Sequence, residues 1–295
     1  MTPAFDRDAF FAACQLTTDS SDLADDQRWS TWPETAHTLD RGPQPFPDWV
    51  VQHDGAVDTE LGVLKTGKEA EAFLLERSLP AERLTGAPGE RTLLVAKRYR
   101  SAERVSFHRS SVYAEGRRTR DSREARAMAK GTAFGREAAA ARWARVEFDT
   151  LGRLWSAGIP VPYPVQNQGT ELCMEFIGTD GASPQAAPRL HEARPGPALA
   201  ARWAEELREI VLGLARQGLA HGDLSPYNVL VDPRGRGGRL VVIDVPQVVD
   251  LVANAHGAEL LRRDCETVCA WLRAHGTPPA LAEAAGWYTD AVTSI

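Results

Sequence analysis

The chain has 295 residues, 43% of them hydrophobic and 25% charged, which is the balance of an ordinary globular protein and leaves room for one large domain or two modest lobes around one cleft. A net charge of −6 excludes a protein that coats nucleic acid over its whole surface. No apolar run approaches the roughly 20 residues of a membrane span, and the acidic start MTPAFDRDAFFAAC lacks the basic-then-apolar order of a secretory signal.

Four cysteines, at 14, 173, 265 and 269, make neither a disulfide nor a metal-ligand framework, so a reducing cytoplasm is expected. Cys265 and Cys269 lie one helical turn apart and are expected to fill core. Charge is uneven: residues 98–145 carry 13 Lys/Arg against five Asp/Glu. Only four of the 34 basic residues are lysines, namely Lys65, Lys68, Lys97 and Lys130. Those positions are worth testing as places that need a compact ammonium rather than a planar guanidinium.

In chain order, residues 1–16 predict a short helix through Phe5, Phe10, Phe11 and Leu16, and 17–48 an extended or poorly ordered arm. From Val57 two strand-like runs flank KTGKE, and RTLLVAKRY gives a third. Residues 101–132 lack apolar periodicity and predict a mobile basic loop, followed by a long helix over 134–157. GIPVPYPV leads to the strand ELCMEFI, and a Pro- and Ala-rich connector spans 179–197. A helix with Trp203, Leu207, Ile210, Val211 and Leu214 on one face comes next, then HGDLSPYNVLV, a hairpin of NVLV with LVVID around DPRGRGG, and a helix over 257–274. The expected organisation is an N-terminal extension 1–56, a strand-rich lobe 57–177 that includes the basic loop and the long helix, and a mainly helical lobe 178–295.

His221, Asp223 and Asn228 crowd one loop, and Asp244 ends the strand RLVVID. Two carboxylates and one amide projecting from strand ends suit Mg²⁺, with Mn²⁺ as an alternative, because such ions take one or two carboxylates and complete their shell with phosphates and water. The same layout recurs in protein kinases; the competing explanation is a turn in which Asp and Asn cap local backbone. His221 suits a structural hydrogen bond better than proton transfer. Lys97 sits in an otherwise apolar strand. Glu147 shares a helical stripe with Trp143, Leu151 and Leu154, where an unpaired carboxylate would be expensive. A Lys97–Glu147 ion pair would satisfy both and hold the ammonium against ATP phosphates; the alternative is a Glu147 that reaches solvent from the margin of the stripe. Gly67 and Lys68 form a weak phosphate-loop signal that is not G-x-x-x-x-G-K-[ST]. The basic segment reads equally as a solvated loop or as a surface for an anionic partner.

These stretches together resemble the RIO family of atypical protein kinases, most of all its founding branch. The resemblance runs over residues 58–275 through KTGKEAEAF, VAKRYR, WARVEFDTLGRLWSAGIPVPYPV, CMEFIGTDG, HGDLSPYNVLV, VVIDVPQVV and HGAELLRRDCETV. It implies an α+β, two-lobed, reduced protein-kinase-like fold and an ATP-dependent serine kinase or ATPase. Asp223 would be the catalytic base and Asn228 and Asp244 the metal ligands. Gly67, Lys68 and Glu69 would form the nucleotide loop, with Lys97 on the phosphates supported by Glu147. The backbone of Glu175 and Ile177 would meet adenine, with Met174 beside it. The resemblance further implies that Asp244 can accept a phosphoryl group, and it makes Ser106, Ser110 and Ser111 candidate autophosphorylation sites.

Three positions depart from the family pattern: Lys65 stands for Ser, Glu71-Ala72-Phe73 for Asn-Val-Tyr, and Gly257 for Pro. After Asp244 no A-P-E motif appears, so no conventional peptide platform is expected. Two readings therefore stay open, a serine kinase of narrow or self-directed range and an ATP-driven switch on an RNA-rich assembly reached through 98–145. Arg- and Ala-rich composition points to a bacterial member. The runner-up is a small-molecule phosphotransferase of the aminoglycoside or choline kinase type, which shares the H-G-D-L…N loop.

Overall fold

A computed structural model of the chain describes residues 23–100, 133–181, 183–234 and 237–295. The expected first helix, the basic loop, Cys14, Lys130 and the three candidate serines lie outside the described residues. The described chain divides into two compact units, 23–100 with 164–176 and 133–163 with 177–295. By compactness the long helix therefore groups with the second unit, whereas the expected boundary puts it with the strands.

The first unit is a six-stranded antiparallel sheet of β1 (Gln27–Trp29), β2 (Val57–Thr66), β3 (Ala70–Ser78), β4 (Arg91–Tyr99), β5 (Pro164–Gln168) and β6 (Glu171–Glu175). Its order is β1-β2-β3-β4-β6-β5. Strand β4 lies between β3 and β6, and its near-continuous apolar sequence fits that central place: Leu94 and Ala96 are fully buried. Strand β2 carries two register shifts, the first at Gly62, whose φ of +127° suits an irregular strand. Strand β5 was hidden from periodicity by its opening proline and its polar residues, yet four of its five positions are buried.

Residues 23–48, the described part of the expected arm 17–48, are ordered against the sheet rather than extended and loose. Strand β1 pairs with β2 at one edge of the sheet, and Arg41 bridges to Gln166 of β5 at the other. Asn167 N–H donates to the Asp40 carbonyl (2.9 Å) and Gly42 N–H to the Val165 carbonyl (3.1 Å). One short segment thus straps both edges. Its middle is anchored by Trp32, 1% exposed, which meets Phe46 edge-on and lies beneath the Arg41 guanidinium at 4.0 Å. Deeper in the sheet the fully buried Arg77 donates to both Asp58 oxygens (2.6 and 2.9 Å) and to Gln166 (2.7 Å), and Gln166 donates to Thr31 of the strap (2.6 Å).

The second unit begins with helix α1 (Ala133–Ser156) and a short hairpin, β7 (Gly178–Thr179) with β8 (Gln185–Ala186), inside the expected connector. Helix α2 (Pro197–Arg216) buries the five residues expected on its inner face. Strands β10 (Val229–Asp232) and β11 (Arg239–Val242) form the expected antiparallel hairpin, and β9 (Leu219–Ala220) pairs with β12 (Val249–Asp250). Helix α3 (Gly257–Ala274) packs against α2 and a last helix, α4 (Ala284–Thr293), which the sequence reading did not single out. Gly257 opens α3 where a side chain would meet Leu251 backbone at 2.9 Å, so the space explains glycine there. Cys265 and Cys269 are buried as expected, with thiols pushed up to about 12 by burial. No described helix is long and apolar enough to cross a membrane.

Candidate active site

The loop between β9 and β10 carries three of the expected residues. Helix α2 gives way at Gly218 (φ +68°), and Gly222 (φ +83°) makes the next sharp bend, conformations that strain other residues. Between them His221 is fully buried, and its Nε2–H donates to the Ile243 carbonyl at 3.0 Å. Its other ring nitrogen has no hydrogen-bond partner among the described residues. That arrangement tethers the loop to the end of the neighbouring hairpin and matches the structural reading of His221.

Asp223 is exposed, whereas Asn228 is 7% exposed and reaches back to it. Asn228 Nδ2 donates to the Asp223 carbonyl (2.9 Å) and to Asp223 Oδ2 (3.3 Å). Both acceptors lack a proton to give, so they select the nitrogen and turn Asn228 Oδ1 the other way. Asn228 is held by its backbone as well: its N–H donates to Ser225 (2.9 Å) and its carbonyl accepts from Ile243 N–H (3.0 Å). An oriented amide oxygen is what a hard cation requires of such a residue.

Asp244 does not close the strand, as the sequence reading had it. Strand β11 stops at Val242, and Asp244 lies two residues on, opening the 3-10 turn Val245–Gln247. It is the one non-glycine residue with positive φ among the described residues, at φ +67°, ψ +45°. A left-handed conformation costs an L-residue about 1–2 kcal/mol, and such strain clusters at functional positions.

One residue that sequence reasoning left without a role organises this loop. Asp264 of α3, 2% exposed, accepts from Gly222 N–H and Leu224 N–H, both at 2.8 Å, on either side of Asp223. Its neighbour Arg263 donates to the Gly222 carbonyl. Burial raises the Asp264 pKa, against the opposing pull of His221, the two N–H groups and Arg263. The signal was present: Asp264 shares the apolar stripe of Leu260, Leu261, Cys265 and Val268, the same kind of oddity that marks Glu147.

The remaining candidates divide between the two units. In the first, Gly67 N–H donates to Ala70 O (2.9 Å) in the β2–β3 turn, where a Cβ would lie 2.9 Å from that oxygen. Lys68 and Glu69 are exposed in the same turn, and Arg100 N–H donates to the Glu69 carbonyl. Lys97 is half-buried on β4, opposite Ala72 and Leu172, with its ammonium 5.4 Å from the Tyr99 ring centroid. Met174 and Glu175 pair with Val95 and Leu94. In the second unit Glu147 is 1% exposed on α1, as its place on the stripe suggests. The Ile177 carbonyl accepts from Ala187 N–H at 2.9 Å. Among the described residues no three His, Cys, Asp or Glu side chains converge as a ready metal cage.

A family model described as the RIO domain matches residues 92–284, more than half of the chain. The chain belongs to the RIO family. It is 35% identical over 223 residues to the RIO-type serine/threonine-protein kinase Rio1 of Haloferax volcanii, covering 76% of this chain and 66% of that protein. It is 35% identical over 144 residues to Caenorhabditis elegans RIO1 and 36% over 149 residues to human RIO3, both serine/threonine-protein kinases, with 26% of each covered. The chain thus spans about two thirds of the archaeal relative and about a quarter of the animal ones. Among solved structures, the Rio2 kinase–ADP/Mg²⁺–phosphoaspartate complex from Chaetomium thermophilum matches with a TM-score of 0.51 at 21% identity, covering 80% of this chain and 62% of that one. That likeness supports the expected α+β fold, a RIO-type kinase fold of β-sheet and helical units.

Proposed function

We propose that this RIO-family chain transfers the γ-phosphoryl group of ATP to a protein serine, or to Asp244 and then to water. The observation that carries the reading is the Asp223–Asn228 pair, with the base exposed, the amide oxygen oriented, and the loop pinned on both sides by Asp264. Asp223 would take the proton of the attacking hydroxyl. Asn228 Oδ1 and the Asp244 carboxylate would hold one divalent cation, with phosphates and water completing its shell, since among the described residues no three His, Cys, Asp or Glu side chains form a cage. Bound Mg²⁺ would neutralise charge on the phosphates; Mn²⁺ fits the same donors.

Lys97 would hold the phosphates with Glu147 as its counter-ion, Gly67, Lys68 and Glu69 would cover them, and Glu175 and Ile177 would meet the base beside Met174. In transfer to Asp244, a carboxylate–phosphorus bond forms as the bond to ADP breaks, and water later hydrolyses the acyl phosphate. A phosphoaspartate is part of the C. thermophilum Rio2 complex, which supports that branch. The basic segment 98–145 suits an RNA-rich partner, and a reducing cytoplasm suits three buried free thiols.

Purified protein incubated with Mg²⁺ and γ-labelled ATP tests the proposal. Acid-stable label on serine supports the kinase branch; released phosphate with a labile label that disappears in Asp244→Asn supports the ATPase branch. Neither label nor phosphate would remove the proposal. Lys97→Ala should raise the KM for ATP and slow turnover, read from initial rates over an ATP series; unchanged kinetics would assign the phosphates to another residue.

A further inference from the structure

Resting on that reading, we infer that Tyr227, backed by His191 and flanked by Arg189 and Arg194, receives the acceptor and selects serines in acidic segments. Tyr227 lies four residues after Asp223 and is 59% exposed, although Pro226 and Asn228 on either side are buried. Its ring is stacked on His191, with centroids 4.1 Å apart and planes 30° apart. The turn that carries His191 is tied to the catalytic loop by His191 N–H donating to the Pro226 carbonyl (3.0 Å) and by the Arg189 guanidinium donating to the Tyr227 carbonyl. A large aromatic group is therefore stacked in place on the loop that also carries Asp223. An ordered ring loses little freedom when a partner covers it, which is why tyrosines of this kind dominate binding energies.

The charge around the ring sets the class of acceptor. Arg194 donates to the carbonyls of His191 (3.2 Å) and Ala193 (2.9 Å), and Arg189 to that of Tyr227. Carbonyl acceptors leave the positive charge in place, and among the described residues neither guanidinium has a carboxylate partner, unlike Arg28, Arg77, Arg91, Arg98 and Arg208. Glu192, the acid in the same turn, accepts from Arg189 N–H at 2.9 Å. Two guanidiniums without carboxylate partners, both on the turn whose His191 backs the exposed ring, favour acidic side chains flanking the serine, with an apolar or flat group over Tyr227. By the same token they disfavour the segment of Ser106, Ser110 and Ser111, which carries Arg104 and Arg109. In the transfer the serine Oγ–H proton passes to Asp223, the Oγ–P bond forms, and the P–O bond to ADP breaks.

The test uses dephosphorylated β-casein as an acidic acceptor and myelin basic protein as a basic one, at saturating MgATP. The wild-type chain should favour casein by about tenfold or more in kcat/KM. Tyr227→Ala should raise the casein KM by about tenfold, the loss of about 1.4 kcal/mol of binding, and should shift the KM for ATP far less. Tyr227→Phe, which keeps the ring, should restore the casein KM lost in Tyr227→Ala, and Arg194→Glu, an exposed change that keeps the inference testable if Tyr227→Ala does not fold, should reverse the acceptor preference. Equal casein KM in wild type and Tyr227→Ala, or an unchanged preference in Arg194→Glu, would overturn the inference alone. A wild-type chain that neither labels a protein nor releases phosphate would overturn the proposed function with it.

Discussion

Asp223, Asn228, Asp244 and Asp264 show how four small polar side chains acquire different tasks from their surroundings. Asp223 is exposed and touches Asn228 through a long contact of 3.3 Å, so it keeps lone pairs for a proton. Replacing it with Asn preserves shape and removes the carboxylate proposed as the base. Asp223→Asn should lower phosphoryl transfer by about 10²- to 10⁴-fold while MgATP still binds, and a nucleotide-binding titration beside the labelled-ATP assay separates the two. Asp264 has no such freedom, because both its oxygens are taken by loop N–H groups. Asp264→Ala leaves two buried donors unsatisfied, each worth about 1–3 kcal/mol. Denaturant unfolding should show that loss, and turnover should fall with it; a stable variant with full turnover would deny Asp264 its anchoring part.

At the scale of elements, the sheet is organised by ion pairs that its strands exchange. Glu171 of β6 accepts from Arg28 of β1 and from Arg98 of β4 (2.7 Å), and Arg98 also reaches Glu60 of β2 (2.7 Å). Burial by itself would raise the Glu171 pKa, but the two arginines outweigh it and hold it below the usual carboxylate range. A depressed carboxylate stabilises the fold fully above its unfolded pKa, and that stabilisation disappears as pH falls through the folded value. Stability of the wild-type chain should therefore decline more steeply on acidification below about pH 4.3 than that of Glu171→Gln, measured by unfolding at a series of pH values. The buried Arg77–Asp58 pair works differently: with Gln166 it fixes the register of β2, β3 and β5 at one point, since an unpaired charge there would cost several kcal/mol.

Over the whole molecule, the strap is what distinguishes the first unit from a bare sheet. Open edges invite pairing with other chains, and this chain covers one edge with β1 and bridges the other at Arg41. A chain beginning at residue 57 should expose both edges and the surface under Trp32, and it should self-associate. Light scattering of the shortened and full chains at equal concentration checks this, and equal scattering would mean that the strap is dispensable. The RIO-domain match begins at residue 92, after the strap and after β3, so this device lies outside the part of the chain that carries the family signal.

What the sequence determined by itself is the local chemistry. Period-3.6 stripes marked one face each of α1 and α2, and the first drew attention to Glu147 as an acid on an apolar face. The spacing of Asp223, Asn228 and Asp244 in ordered motifs carried the family and the candidate site. Those signals are short-range, written in neighbours along one helix or one loop. Tertiary structure alone decided the rest, because it depends on which distant segments meet. Residues 23–48 look unstructured by composition and gain order by hydrogen bonding to β2 and β5, about a hundred residues apart, and by burying Trp32. Strand β5 has no apolar alternation and is a strand because β6 pairs with it. Asp264 stands out in sequence only as an acid on an apolar stripe, and what it does there is decided when folding brings it to within 2.8 Å of two loop amides, about 40 positions earlier in the chain.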